Sequence, residues 1–272
     1  MPRGLKMKEK LYTKLNESFH CLGECILNKL QIQNGDQVSI KYSRTSQAFQ
    51  LSFSPDFTFS LPCFHSSVCP MLRVQQELNL TQAIPKFVPV FSSVLVRSLD
   101  QKVLVMRQTE TLGLASKSWG FSYRKIQLKE SIFKAGVRGL REDTGINIVE
   151  SGNSYSYFDI QVRISPLCVY ESIFPKILEH GLPRNQALMV FNLVEIPVLA
   201  SEIKIKMNNV DFLVWLGYEE FYEIQSGQKG ILEPFEVSFK LDYKCLKGVS
   251  PNSIGEGFSE GHLVAISAAF SK

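Results

Sequence analysis

Residues Glu130–Ile146 read ESIFKAGVRGLREDTGI, and the fold is decided by how this stretch is read. Ile132, Phe133, Val137 and Leu140 recur at helical spacing, so the pattern predicts a helix over 130–143 with these residues on its apolar side. Gly145 follows the last periodic position, where a glycine can take the left-handed conformation that ends a helix. Phe133, Val137 and Leu140 are expected to pack on a sheet. Positions 139, 142 and 143 stand at i, i+3 and i+4, so Gly139, Glu142 and Asp143 share one helix face. Taken by themselves, Glu142 and Asp143 are equally two solvated acids near a helix end.

Before this helix, Val90–Arg97 and Val103–Arg107 are strand-like around Leu99-Asp100, a hairpin signal, and a loop is expected after Trp119. After it, 155–162, 169–173, 187–195 and 212–216 read as strands, 218–224 as a short helix, and Ser259 as the cap of a terminal helix through Ala269. Strands, loop, helix, strands and helix in that order describe an α+β arrangement. The first third differs. Leu11, Leu15, Phe19 and Leu22 suggest an amphipathic helix within residues 1–30, residues 37–59 suggest two or three strands around Ser54-Pro55-Asp56, and Pro62, Pro70 and Pro85 mark an irregular connector. The expected division is an N-terminal extension over 1–85, a core domain over 86–230 and a C-terminal extension with a terminal helix over 231–272.

The central segment resembles the Nudix box, G-x5-E-x7-R-E-U-x-E-E-x-G-U, where U is aliphatic. With Glu130 on the first Glu, the residues Arg138, Leu140, Glu142, Gly145 and Ile146 fall into place without a gap, and Asp143 stands at the last Glu. Tyr170-Glu171-Ser172, Phe174-Pro175, Gly181-Leu182-Pro183, Cys69-Pro70 and Trp215-Leu216 extend the likeness to one vertebrate member of the family. The resemblance implies a Nudix-type mixed β-sheet flanked by helices, preceded by a mostly β N-terminal extension. It implies a metal-dependent hydrolase of nucleoside diphosphate-linked phosphoanhydrides. For that member the implied substrate is methylguanosine-capped RNA, with an NADH-type dinucleotide as the alternative. Glu142 and Asp143 would be the catalytic carboxylates and would hold Mg2+ or Mn2+, hard cations that favour carboxylate oxygen. Glu130, Arg138 and Gly145 would shape the motif. Arg107 would meet phosphate, and Trp119, with Phe121 and Tyr123, would stack on a base unless these aromatics are core packing.

Three positions depart from the box and its surroundings. Arg124 stands at the opening Gly, Gly139 at the Glu after the Arg, and Asn209 where a further Glu is expected. A catalytically inactive binding or scaffolding protein is therefore the competing expectation. Glu142 and Asp143 are expected side by side at a cleft mouth, and restoring Glu at 139 is expected to tighten a divalent cation.

The rest of the composition bounds the answer without deciding it. The chain has 272 residues, 44% of them hydrophobic, enough for a sizeable core, and its net charge of +4 is too small to argue a nucleic-acid coat or a membrane patch. No apolar run reaches membrane-spanning length, and the basic N-terminus lacks an apolar signal core, so a cytoplasmic chain is expected, and the resemblance implies a nucleotide or capped RNA as its partner. Six cysteines are read as reduced thiols, with a zinc site from Cys21, Cys25, Cys63 and Cys69 as the weaker alternative to buried packing. The four histidines are scattered and suggest no catalytic dyad.

Overall fold

The computed structural model describes residues 11–14, 36–43, 48–52, 61–65, 88–108, 118–127, 130–152, 154–174, 185–228, 230–232, 241–242 and 257–272. The strands in chain order are β1 (Leu11–Lys14), β2 (Gln37–Ser43), β3 (Ala48–Ser52), β4 (Leu61–His65), β5 (Val90–Arg97), β6 (Val103–Gln108), β7 (Ser118–Gly120) and β8 (Ser122–Lys125). They continue as β9 (Ile148–Ser151), β10 (Ser154–Tyr157), β11 (Ile160–Phe174), β12 (Asn185–Glu195), β13 (Val210–Leu216), β14 (Ile231–Leu232), β15 (Leu241–Asp242) and β16 (Gly257–Phe258). The helices are α1 (Ile132–Thr144), α2 (Tyr218–Ser226) and α3 (Glu260–Phe270). The architecture is α+β.

Two compact units divide the chain, one of Met1–Val90 with Glu171–Leu188 and one of Phe91–Tyr170 with Met189–Lys272. In the first, β1, β3, β2 and β4 pair in that order, all antiparallel. Leu11–Lys14 is thus a strand on β3, not the start of an amphipathic helix. The Tyr-Thr pair within it favours extended backbone. Leu15, Phe19, Leu22 and the Ser54-Pro55-Asp56 turn lie outside the described residues, as do Pro70 and Pro85 of the connector.

The second unit carries the Glu130–Ile146 motif. Here β6 is central. It pairs with β5 through Val96–Leu104, with β7 through Met106–Gly120 and with β13 along Val103–Leu216, all antiparallel. β8 lies on β5, and β16 joins β7 in parallel, which makes the sheet mixed. The loop expected after Trp119 is instead two short strands, β7 and β8, separated by Phe121. The strand expected over 155–162 is a hairpin. β10 turns into β11 at Phe158-Asp159, and Phe158 adopts φ 50°. The core includes Val94, Val96, Leu104, Met106, Leu140, Ile146, Val194 and Leu213. The terminal segment belongs to this unit: Phe258, Ala265, Ile266 and Ala269 are buried, and Arg97 donates to the Ala269 carbonyl at the end of α3. Ser259 is the N-cap residue of α3, but its hydroxyl meets His262 Nδ1 at 2.8 Å and not the helix backbone.

Helix α1 packs the side its large residues suggest, with Leu140 in the core and Val137 packed against it, but its closest contact is made by small residues. Its buried positions are Ala135, Gly136, Gly139, Leu140, Asp143 and Thr144, whereas Phe133 and Val137 are half-buried. The two glycines explain the turn of the helix. A Cβ at 136 would lie 2.4 Å from Val94 Cγ2 and 2.7 Å from Ser92 Oγ, so the backbone sits directly on β5. Phe133 reaches over to Tyr155, edge to face with ring centroids 6.4 Å apart. Among the described residues, no helix is long and apolar enough to cross a membrane.

Candidate active site

The motif is braced at its start by Glu130 and Arg138. Ser131 caps α1, its hydroxyl accepting from the Lys134 amide, so Glu130 precedes the helix and is not part of it. The Glu130 carboxylate accepts Arg138 Nε at 2.9 Å and Nη2 at 3.0 Å, a bidentate pair, and also the Gln127 amide at 2.9 Å. Arg138 Nη2 additionally donates to the Lys125 carbonyl at 3.0 Å. One ion pair thereby holds both ends of the loop between β8 and α1. Burial raises the Glu130 carboxyl's pKa, but the hydrogen bond from Arg138, the Gln127 amide and the charge of Arg138 outweigh it and hold the group below the usual carboxylate range.

At the other end, Gly145 takes φ +69° and its amide bonds to Arg141 O. The segment before β13 closes the remaining carbonyls. Lys206 N donates to Thr144 O, Asn208 N to Asp143 O, and the Asn209 side-chain amide to Glu142 O at 3.3 Å. Asn209 serves the helix end.

Glu142 and Asp143 stand side by side, as their spacing requires, but Arg124 binds both. Arg124 Nε donates to Glu142 Oε2 at 2.6 Å, Nη2 to Asp143 Oδ1 at 2.6 Å and Nη1 to Asp143 Oδ2 at 3.1 Å. Ser122 Oγ donates to Asp143 Oδ2 at 2.7 Å. The Asp143 side chain is 1% exposed and that of Glu142 39%. Asp143 therefore faces the interior, closed by Arg124. Burial lowers the Arg124 pKa, yet its bonds and charge interactions with Asp143 and Glu142 prevail and raise it.

A divalent cation does not fit this arrangement. Both carboxylates already accept guanidinium N–H groups, and position 139 offers no donor. The space beside Gly139 is taken: a Cβ there would lie 2.9 Å from Arg124 Cγ and 2.9 Å from Ser122 Oγ. No group of three or more His, Cys, Asp or Glu side chains that could hold a metal occurs among the described residues. A Glu at 139 could join a cation site only if the Arg124 and Ser122 side chains gave way. Cys63 is buried, and Cys21, Cys25 and Cys69 lie outside the described residues.

The residues expected to meet substrate sit elsewhere. Arg107, on β6, lies in one cross-strand row with Trp119 of β7 and Phe212 of β13. Its guanidinium is 4.5 Å from the Phe212 ring centroid and bonds Asp211 at 3.4 Å. Trp119 is fully buried and stacks on Phe212 at 6.4 Å, and Phe121 is buried against Phe191 and His262. Base stacking needs an open ring face, so packing is the role of both. A cavity of about 120 Å³ beside α1 is lined by Lys134, Arg138, Arg141 and Tyr155, and neither Glu142 nor Asp143 lines it. Ser122 and Arg124 were not marked by sequence as partners of Asp143. The available signal was paired, a large residue for a small one at 124 and a small for a large one at 139.

Comparison with known proteins shows what the chain is similar to. The chain is 28% identical over 220 residues to m7GpppN-mRNA hydrolase NUDT17 of Xenopus laevis, which covers 76% of this chain and 70% of that protein. The proteins of the same name from Homo sapiens and Danio rerio are 24% and 25% identical, over 66% and 72% of this chain. The chain spans only 54% and 61% of those two relatives' lengths. No family model matches. Solved structures with similarity include a MutT/nudix family protein from Enterococcus faecalis, at 17% identity and TM-score 0.41, covering 72% of this chain and 66% of that one. Another is a NUDIX family hydrolase from Clostridium perfringens, at 14% identity and TM-score 0.39, covering 67% and 95%.

Proposed function

We propose that this chain is a slow Nudix-type hydrolase of nucleoside diphosphate-linked phosphoanhydrides, with methylguanosine-capped RNA as its substrate class. The observation that carries this reading is the likeness, at 24–28% identity, to four vertebrate proteins each named m7GpppN-mRNA hydrolase. The intact brace between Glu130 and Arg138 supports it, because that pair orients the helix bearing Glu142 and Asp143. In this reading the half-exposed Glu142 lies nearest the scissile phosphoanhydride with the buried Asp143 behind it, and turnover is slow because Arg124 holds both carboxylates. The same contact favours a second reading, a Nudix-fold protein that binds a capped nucleotide without cleaving it.

The test is incubation of the purified chain with capped RNA and, separately, NADH, following released nucleotide and equilibrium binding of a cap dinucleotide. Slow release from capped RNA that disappears in Glu142→Gln supports the hydrolase. Cap binding without release supports the binder. Release from NADH alone replaces the substrate class, and neither binding nor release of either compound sinks both readings.

A further inference from the structure

We propose that the Arg124 guanidinium is a built-in replacement for a divalent cation, and that Arg124 and Gly139 form one coupled exchange that closes the site to metal. The proposal rests on the family reading above for where a cation would otherwise sit. Three observations carry it. First, the guanidinium spends three N–H groups on Glu142 and Asp143, the carboxylates a cation would need. Second, its stem runs where a side chain at 139 would begin, at 2.9 Å from the position of an added Cβ. A carboxylate at 139 and an arginine at 124 therefore compete for one space, and the glycine is what admits the arginine. Third, the charges already nearly balance. Arg124 and Arg138 face Glu130, Glu142 and Asp143, with Arg138 Nη1 3.8 Å from Glu142. An incoming dication would meet two fixed guanidinium groups, and like charges at this range oppose one another. An arginine held this way is planar, forked and permanently charged, so it matches two adjacent carboxylates as an ammonium cannot.

The consequence is non-additivity. Two neighbouring groups that share one space couple in a double-mutant cycle. The experiment titrates Mn2+ into the wild-type chain, Arg124→Gly, Gly139→Glu and the double variant, reading free Mn2+ by electron paramagnetic resonance and unfolding temperature by circular dichroism. The wild type is expected to show no saturable site at millimolar Mn2+ and no thermal shift. Gly139→Glu alone is expected to change Mn2+ affinity less than threefold and to lower the unfolding temperature. The double variant is expected to bind at least tenfold more tightly than either single variant and to gain thermal stability on Mn2+ addition. Arg124→Lys keeps a charge but cannot span both carboxylates, so it provides a folded intermediate case should Arg124→Gly not fold. It is expected to bind Mn2+ more tightly than wild type when paired with Gly139→Glu. A saturable wild-type site that Glu142→Gln abolishes overturns the proposal, as does an affinity gain in Gly139→Glu equal to that of the double variant. These readouts involve no nucleotide, so a failed substrate assay leaves them interpretable.

Discussion

Asp143 is buried to 1% exposure with a carboxylate that accepts from Ser122 and twice from Arg124, whereas the neighbouring Glu142 keeps 39% of its side chain in water. The difference in exposure sets the difference in cost. Removing one partner of a buried pair leaves the other desolvated, so Asp143→Asn should destabilise the fold by about 3 kcal/mol. Glu142→Gln, at a half-exposed position, should cost less than about 1 kcal/mol. Urea unfolding of both variants checks this, and equal losses would mean that Asp143 is not the buried anchor. Glu130 supplies a pH signature. Its native pKa lies below the unfolded value, so its contribution is present above the unfolded carboxyl range and is lost as pH falls through the depressed native one. Glu130→Gln should therefore be less stable than wild type near pH 7, with the gap narrowing as pH falls below the unfolded carboxyl range. A gap independent of pH would show that the Arg138 pair contributes no charge-dependent stability.

Helix α1 is an element whose glycines serve contact and not flexibility. Alanine is the better helix former by about 1 kcal/mol, which taken alone would make Gly136→Ala stabilising. A Cβ 2.4 Å from Val94 Cγ2 overpacks the seam with β5, at a typical cost of about 1–3 kcal/mol. The steric effect wins, so thermal unfolding of Gly136→Ala should shift downward by several degrees. A rise would show that the helix can lift from the sheet without loss. These glycines also mark what the periodicity of large residues did not show. Phe133, Val137 and Leu140 predict a face, and Leu140 and Val137 do pack on the core, but Gly136 and Gly139 shift the closest contact to one side of it, because backbone approaches nearest where side chains are missing. The existence of the helix and its stop at Gly145 were legible in the residues, being features of a short span of chain, and the Glu130–Arg138 brace was legible only through the resemblance to the box. The exact start was not, since Ser131, not Glu130, supplies the cap.

At the scale of the molecule, each compact unit carries a buried cysteine, Cys63 in one and Cys168 in the other. Burial pushes the Cys168 thiol up to about 12, so it stays protonated and unreactive in the native chain. Alkylation at pH 8, followed by peptide mass mapping, should leave Cys63 and Cys168 unlabelled until denaturant opens their units. Labelling of Cys168 in the native protein would contradict its core position. The α+β class was readable because strands and helices announce themselves through local spacing, as β5, β6, β13 and α3 do. Short elements escaped that reading: β1, β7 and β8 are too brief for a period to develop, and their pairing partners are distant in sequence. By itself, the sequence determined the α1 motif, its paired acids at 142 and 143 and its departures at 124, 139 and 209. It could count those departures only as separate losses. Tertiary structure joined Arg124 to Asp143, 19 positions away, and to the space left by Gly139, because a guanidinium on β8 reaches a helix face only once the strand and helix are packed together. That contact depends on distance in space and on excluded volume, which residue identities along a chain do not encode locally.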